Sequence, residues 1–242
     1  MKITNLLESS NPKYQGFYGL DYFGLIEDHG NLFRPEDQWP ALCYAHGIYN
    51  PPDLDTIPEG KDRAGFLKLL HNQLEFLKIN KKRTPQSVLE IGSGSGQISC
   101  TLSHMGYSVQ STDLNPHAGG FHQARAIDMY NNEISEDYHL LLGDLNSVGG
   151  QLNLDDVDTV LLIESIEHIY NDEWQTFLEL ALPVFRKNHT HLIITNFQDM
   201  WPIGDMDGDE HCNTIDDAFF NHLASFANKV LFRDRAHLAL EF

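Results

Sequence analysis

Apolar residues along the second half of the chain fall in short runs bounded by turn-forming or acidic residues, and these runs read as strands. The first is Ser87-Val88-Leu89-Glu90-Ile91, which leads into the glycine-rich stretch Gly92-Ser93-Gly94-Ser95-Gly96. Tyr107 to Thr112 and Tyr138 to Leu142 read as the second and third strands. Asp158-Thr159-Val160-Leu161-Leu162-Ile163 is a fourth, apolar without alternation, as in a strand buried on both faces of a parallel sheet. His191 to Thr195 is a fifth. Helices are predicted between them near Gly96 to Met105, His117 to Asn131 and Asp172 to Arg186, with a further helix from Ile215 to Ala227. Two closing strands, Lys229 to Phe232 and His237 to Phe242, are separated by only a few polar residues, so they form a hairpin and one of them must run against the rest.

Upstream, Arg63 to Ile79 places Phe66, Leu67, Leu69, Leu70, Leu74, Phe76 and Leu77 at near-helical spacing, which predicts an amphipathic helix ending before Thr84-Pro85. Tyr14, Phe17, Tyr18, Tyr22, Phe23, Phe33, Trp39 and Tyr44 are mixed with glycines and prolines and show no clear period, which suggests an irregular cap. These rings suit either a lid over a ligand or packing on the sheet. The expected organisation is a cap and lead-in helix over residues 1–83 and a core over residues 84–242. The expected fold class is α/β: a three-layer, doubly wound, mostly parallel seven-stranded sheet with one antiparallel strand, plus the N-terminal helical or irregular cap.

Composition changes this picture in three respects. With 242 residues and 41% hydrophobic content, the chain can bury one substantial core. A formal net charge of −19 repels phosphate backbones and disfavours nucleic acid as a partner, and the one basic cluster, Lys78, Lys81, Lys82 and Arg83, fits a solvated helix end. No apolar run approaches the roughly 20 residues that span a bilayer, and Met1-Lys2-Ile3-Thr4-Asn5 has no apolar signal region, so a cytoplasmic protein is expected. Cys43, Cys100 and Cys212 are scattered, which predicts free thiols, with Cys100 packed in the helix after the glycine stretch.

The glycine stretch narrows the chemistry. A turn without side chains at Gly92, Gly94 and Gly96 lets a ligand lie against the backbone. A dinucleotide fingerprint needs glycine where Gln97 stands, and a P-loop needs a lysine that is absent here. The remaining pattern, E-x-G-x-G-x-G from Glu90 to Gly96, resembles the first motif of the class I S-adenosylmethionine-dependent methyltransferases. The acids that close the next three strands, Asp113, Asp144 and Glu164, arrive in the order and at the intervals of that family. Asp113 can accept hydrogen bonds from both hydroxyls of a ribose. The resemblance implies that Asp144 receives the exocyclic amine of adenine, and that S-adenosylmethionine contacts Glu90, Gly92, Ser93, Gly94, Gly96, Gln97, Asp113, Leu114, Asp144, Leu145 and Glu164.

Catalysis is expected in Glu164-Ser165-Ile166-Glu167-His168-Ile169. If this segment begins a helix, Glu164, Glu167 and His168 share one face, where two carboxylates and an imidazole can hold a divalent cation such as magnesium, manganese, iron or zinc. The E-x-x-E-H arrangement is similar to that of ubiquinone-biosynthesis O-methyltransferases and of small-RNA 3′-terminal 2′-O-methyltransferases. Both place a further histidine after the fifth strand, which makes His211 the implied fourth ligand. The loop around His211 is not an EF-hand, because Glu210 stands where glycine is needed and Asp216 where a bidentate glutamate is needed.

The expected activity is O-methylation of a small-molecule hydroxyl. The acceptor is activated either by a metal on Glu164, Glu167, His168 and His211 or, without the metal, by His168 or His211 as general base, and Glu167 is expected to be needed for catalysis. Two other readings stand beside it: a methyltransferase acting on RNA 3′ ends, and a non-catalytic protein that binds the cofactor for regulation or docking.

Overall fold

The computed structural model describes residues 1–6, 52–57, 68, 71, 87–94, 96–104, 106–115, 118–123, 134–196, 212–233 and 237–242. The aromatic segment, nearly all of the lead-in helix, the basic cluster and the loop carrying His211 lie outside them.

Eight strands form one sheet: β1 (Lys2–Asn5), β2 (Ser87–Ile91), β3 (Ser108–Asp113), β4 (Tyr138–Leu142), β5 (Thr159–Ile163), β6 (His191–Thr195), β7 (Lys229–Arg233) and β8 (His237–Glu241). Their order across the sheet is β1-β4-β3-β2-β5-β6-β8-β7. Every pairing from β1 to β6 is parallel, and β8 runs antiparallel to both of its neighbours. The expected hairpin and reversed strand are therefore present.

The expected count of seven is corrected to eight. Lys2–Asn5 adds an edge strand in register with β4, Lys2 opposite His139 and Asn5 opposite Leu142. Thr4 Oγ1 and His139 Nε2 meet at 3.0 Å, and the Leu6 N–H continues the ladder by donating to the Leu142 carbonyl. Four residues with one apolar side chain carry no strand signal of their own. This strand exists because β4 offers it an unpaired edge.

Alternation along the strands divides the core in two. Leu89, Ile91, Leu141, Val160, Leu162, Leu192 and Ile194 share one cluster with Trp174, Phe177, Phe185 and Phe220, while Val88, Val109, Tyr138, Leu140, Leu161 and Ile193 share the other with Ile98, Cys100 and Leu102. Successive side chains of a strand point to opposite faces, so a sheet covered on both sides buries nearly every position. The helices are α1 (Gln97–His104), α2 (Leu145–Val148), α3 (Asn171–Asn188) and α4 (Asp217–Ala224), and residues 118–123 are also helical. In α3 the stripe Trp174, Phe177, Leu178, Ala181 and Phe185 faces the sheet, with Asp172 and Glu173 in the first turn and Arg186 and Lys187 in the last, matching the helix dipole. No helix among the described residues is long and apolar enough to cross a membrane.

Strands β3 and β4 lie to one side of β2, and β5 and β6 to the other. The chain reverses its direction of winding between β2 and β5, and in open α/β sheets the crevice at the carboxyl ends of such strands is where ligands bind.

Candidate cofactor site

The turn after β2 is fixed from both sides. The Gly92 and Ser93 N–H groups both donate to the Thr112 carbonyl at 3.0 Å, which ties the turn to the end of β3. Gly92 and Gly96 have φ of +73° and +80°, and each meets a protein side chain where its Cβ would sit: Ser165 Cβ at 2.5 Å for Gly92, and the His122 ring at 2.5 Å for Gly96. These two glycines are required by their neighbours as much as by any ligand. Gly94 differs, because its φ is +54° and nothing lies within 4 Å of the position of a Cβ. The bare backbone expected from the motif is thus presented at Gly94.

Asp113 closes the other wall. Its carboxylate accepts the Gly94 N–H at 2.6 Å and the Asn115 N–H at 2.8 Å, one on each oxygen. The Leu114 N–H also acts on this carboxylate, and of the about four acceptor sites that a carboxylate offers, these donors leave room for a further one. Burial pushes the Asp113 carboxyl up to about 6 against the pull of these N–H donors, so it is ionised at neutral pH. The Asp113 carbonyl accepts the Gly143 N–H at 2.9 Å, which brings Asp144 alongside. Asp144 is the N-cap of α2, its side chain accepting the Ser147 N–H at 2.8 Å, and Leu145 is buried at the start of that helix. Leu114 is half-buried between Asp113 and Asn115. Gln97 opens α1.

Glu90, also assigned to the cofactor, is buried in the layer beneath the first turn of α1. Its Oε2 is hydrogen-bonded to the Ser99 hydroxyl, and burial raises its carboxyl to about 8, only partly offset by the hydroxyl and N–H of Ser99. A chain continues from there: Ser99 to Ser111 Oγ at 2.6 Å, Ser111 to Tyr138 OH at 2.9 Å, Tyr138 to His122 Nδ1 at 2.5 Å, and His122 Nε2 to the Gly94 carbonyl at 3.0 Å.

The segment after β5 departs from the expected helix. Glu164 is in the left-handed region at φ 51°, its N–H shared between the carbonyl and Oγ1 of Thr195, and only Ile166–His168 is helical, as a single 3₁₀ turn. A residue with that φ cannot begin a helix, so the shared-face argument for Glu164, Glu167 and His168 does not hold. Glu164 and Glu167 still interact: burial raises the Glu167 carboxyl to about 8, and the charge of Glu164 adds to the rise. Glu167 Oε2 is buried with no hydrogen-bond partner among the described residues. The Glu167 carbonyl accepts the N–H groups of Cys212 at 2.8 Å and Asn213 at 3.0 Å, so the chain that follows His211 is fastened to this segment. His211 itself lies outside the described residues. Among the described residues no group of three His, Cys, Asp or Glu side chains is arranged to hold a metal ion.

Two residues of this site were missed in the sequence. Ser165 Oγ donates to the Ile91 carbonyl at 2.7 Å and packs on Gly92, joining the ends of β2 and β5. His122 packs on Gly96 from the other side. A hint was available in the buried polar positions Ser99, Thr101 and Ser103 of α1, which have no reason to be polar in an apolar layer unless they serve a network.

Solved structures of known proteins share this fold. WbdD, in a structure at 2.2 Å, is 18% identical over 78% of this chain and 46% of its own, with a TM-score of 0.53. Another structure, of WbdD described as a bifunctional kinase-methyltransferase, gives 17% identity, coverage of 78% and 46%, and a TM-score of 0.51. The chain has the Rossmann-like methyltransferase fold. It spans about half the length of WbdD. Magnesium protoporphyrin IX methyltransferase (ChlM) from Synechocystis PCC 6803, crystallised with bound SAH, is 16% identical over 75% of this chain and 89% of its own, with a TM-score of 0.47. No family model and no curated protein matches the chain.

Proposed function

We propose that this protein is an S-adenosylmethionine-dependent methyltransferase acting on a hydroxyl of a small molecule. The observation that carries the reading is the pairing of the open backbone at Gly94 with the ionised, two-sided carboxylate of Asp113, at the point where the sheet reverses its winding. Gly94 offers a wall with no side chain, and Asp113 offers an ionised carboxylate with acceptor capacity left beside its backbone donors, which suits the hydroxyls of a ribose. Asp144, an acceptor at the start of α2, suits the amine of an adenine, with Leu114 and Leu145 as apolar flanks.

The bound cofactor supplies an electrophilic methyl on a sulfonium. The protein's task is to align the acceptor oxygen and relieve it of its proton. Glu167 suits the second part. Its carboxyl is buried, raised to about 8 and carries an oxygen with no described partner, and a base whose pKa lies near the working pH is the effective kind. His168 and His211 are the imidazole alternatives. A divalent cation is a second reading, favoured by the repulsion between Glu164 and Glu167, which a cation would relieve. His211 would have to complete such a site.

Incubation with methyl-labelled S-adenosylmethionine and a panel of phenols, catechols, hydroxy acids and short RNAs, with and without chelator, tests the proposal. Transfer to a small hydroxyl compound supports it. Transfer to RNA alone moves the activity to 3′ ends, and binding without transfer to any acceptor makes the protein a cofactor-binding module.

A further inference from the structure

Five hydrogen bonds join six groups in series from the middle of β2 to the glycine turn: Glu90 to Ser99, Ser99 to Ser111, Ser111 to Tyr138, Tyr138 to His122, and His122 to the Gly94 carbonyl. All five of the side chains are buried, and they come from β2, α1, β3, β4 and the helical residues 118–123. Each link needs one proton. The last acceptor is a carbonyl, so His122 must carry a hydrogen on Nε2. Ser99, Ser111, Tyr138 and a neutral His122 supply four protons for five links. The series is complete only with one more, resting on Glu90 as a carboxylic acid or on His122 as an imidazolium paired with the Glu90 carboxylate.

We propose that His122 is a positioning residue of the cofactor turn, held in hydrogen-bonded contact with Gly94 by a single proton shared along the series from Glu90. This rests on the methyltransferase reading for the identity of the ligand. The ring fills the space that Gly96 leaves open and braces the Gly94 carbonyl from beneath, while Asp113 holds the Gly94 N–H from the side. Nε2 also lies 3.4 Å from Ser93 Oγ, so the ring touches three consecutive described positions of the turn, 93, 94 and 96. Loss of the shared proton to solvent leaves two acceptors facing one another somewhere in the series and puts an uncompensated charge beneath the turn. The direction of the Glu90 shift agrees, since its carboxyl keeps its proton up to about 8. The other titratable groups that face the series among the described residues are Asp113 on β3, whose charge raises Glu90, and Cys100 on α1, whose Sγ donates to the His122 carbonyl at 3.3 Å; β5 contributes the apolar Leu161 opposite Glu90.

The test is the dissociation constant of S-adenosylmethionine from pH 7 to 9.5, measured by calorimetry for the full chain and for Glu90→Gln. The glutamine amide donates permanently to Ser99 and completes the series without titrating. The cofactor's own α-amino group titrates near 8 in both measurements, so the difference between the two proteins is the readout. Equal affinities at pH 7, with the unsubstituted protein weakening relative to Glu90→Gln by up to about tenfold per pH unit above 8, is the expected result. Parallel profiles across the range overturn the proposal, as does a Glu90→Gln protein that binds poorly already at pH 7. His122→Gln is expected to weaken binding at every pH and to abolish the difference. Failure of the underlying reading looks different: the unsubstituted protein then binds no cofactor at any pH.

Discussion

The Gly94 N–H donates to the Asp113 carboxylate at 2.6 Å, so the residue with the barest backbone in the turn is held by the residue best placed to grip a sugar. On the proposed reading, this contact makes Asp113 responsible both for the shape of the turn and for gripping the ribose of the cofactor. Asp113→Ala is expected to raise the dissociation constant for S-adenosylmethionine by roughly 10- to 100-fold, the loss of one or two charge-assisted hydrogen bonds. Calorimetry checks it, and an unchanged constant removes the ribose assignment. Because donor hydroxyls favour the ionised form and the carboxyl titrates near 6, affinity is also expected to fall as pH drops through that value.

The three glycines of the turn should respond differently to alanine. Gly96→Ala drives a Cβ into the His122 ring at a φ of +80°, and a loss of roughly 2–4 kcal/mol in unfolding free energy is expected from overpacking and backbone strain together. Gly94→Ala has open space and carries only the cost of a left-handed alanine, about 1 kcal/mol. Its larger effect should be on cofactor affinity, since the new methyl stands where the ligand would lie. Denaturant unfolding beside calorimetry separates the two, and equal stability losses for both variants would contradict this account.

Glu167 should set the pH dependence of turnover. With its carboxyl raised to about 8, the fraction able to accept a proton grows as pH rises through that value, so kcat is expected to climb between about pH 7 and 9 and then level. Glu167→Gln should lower kcat by about 100-fold or more and leave cofactor affinity unchanged. A Glu167→Gln enzyme with the original kcat and pH profile would exclude the role.

Stability should carry the opposite dependence on pH. Glu90 and Glu167 both have folded-state values near 8 against 4.5 for an exposed glutamate, so the folded protein binds more protons between these limits than the unfolded chain does. The stabilisation is complete below 4.5 and is lost as pH rises to about 8. The unfolding midpoint in urea is therefore expected to fall across this window, and Glu90→Gln should reduce the slope. An unaltered slope in that variant would show that Glu90 ionises normally.

Much of this architecture was legible in the chain because the features that specify it are local. Val160 to Ile163 is apolar throughout because both faces of β5 are covered, and the short polar gap before His237 forces the β7–β8 hairpin. Asp113 ends β3, and Asp144 follows β4 after Gly143, at the places that the spacing required. What escaped depends on distant partners. Lys2–Asn5 becomes a strand only by pairing with β4, more than a hundred residues away in the chain. Glu164 takes a left-handed conformation where its N–H meets Thr195 of β6, and this cancels the helical face that the i, i+3, i+4 spacing suggested. Ser165 and His122 meet the glycines only once β2, β5 and residues 118–123 have come together, so no window of sequence around either one shows its purpose.

On this reading the turn after Ile91 binds S-adenosylmethionine. Calorimetric titration of the purified chain at pH 7.5 with S-adenosylhomocysteine, which lacks the reactive methyl, tests it most directly. One-to-one binding that is weakened in Asp113→Ala is the predicted result; no heat from the unsubstituted protein, or equal binding by the two, would contradict it.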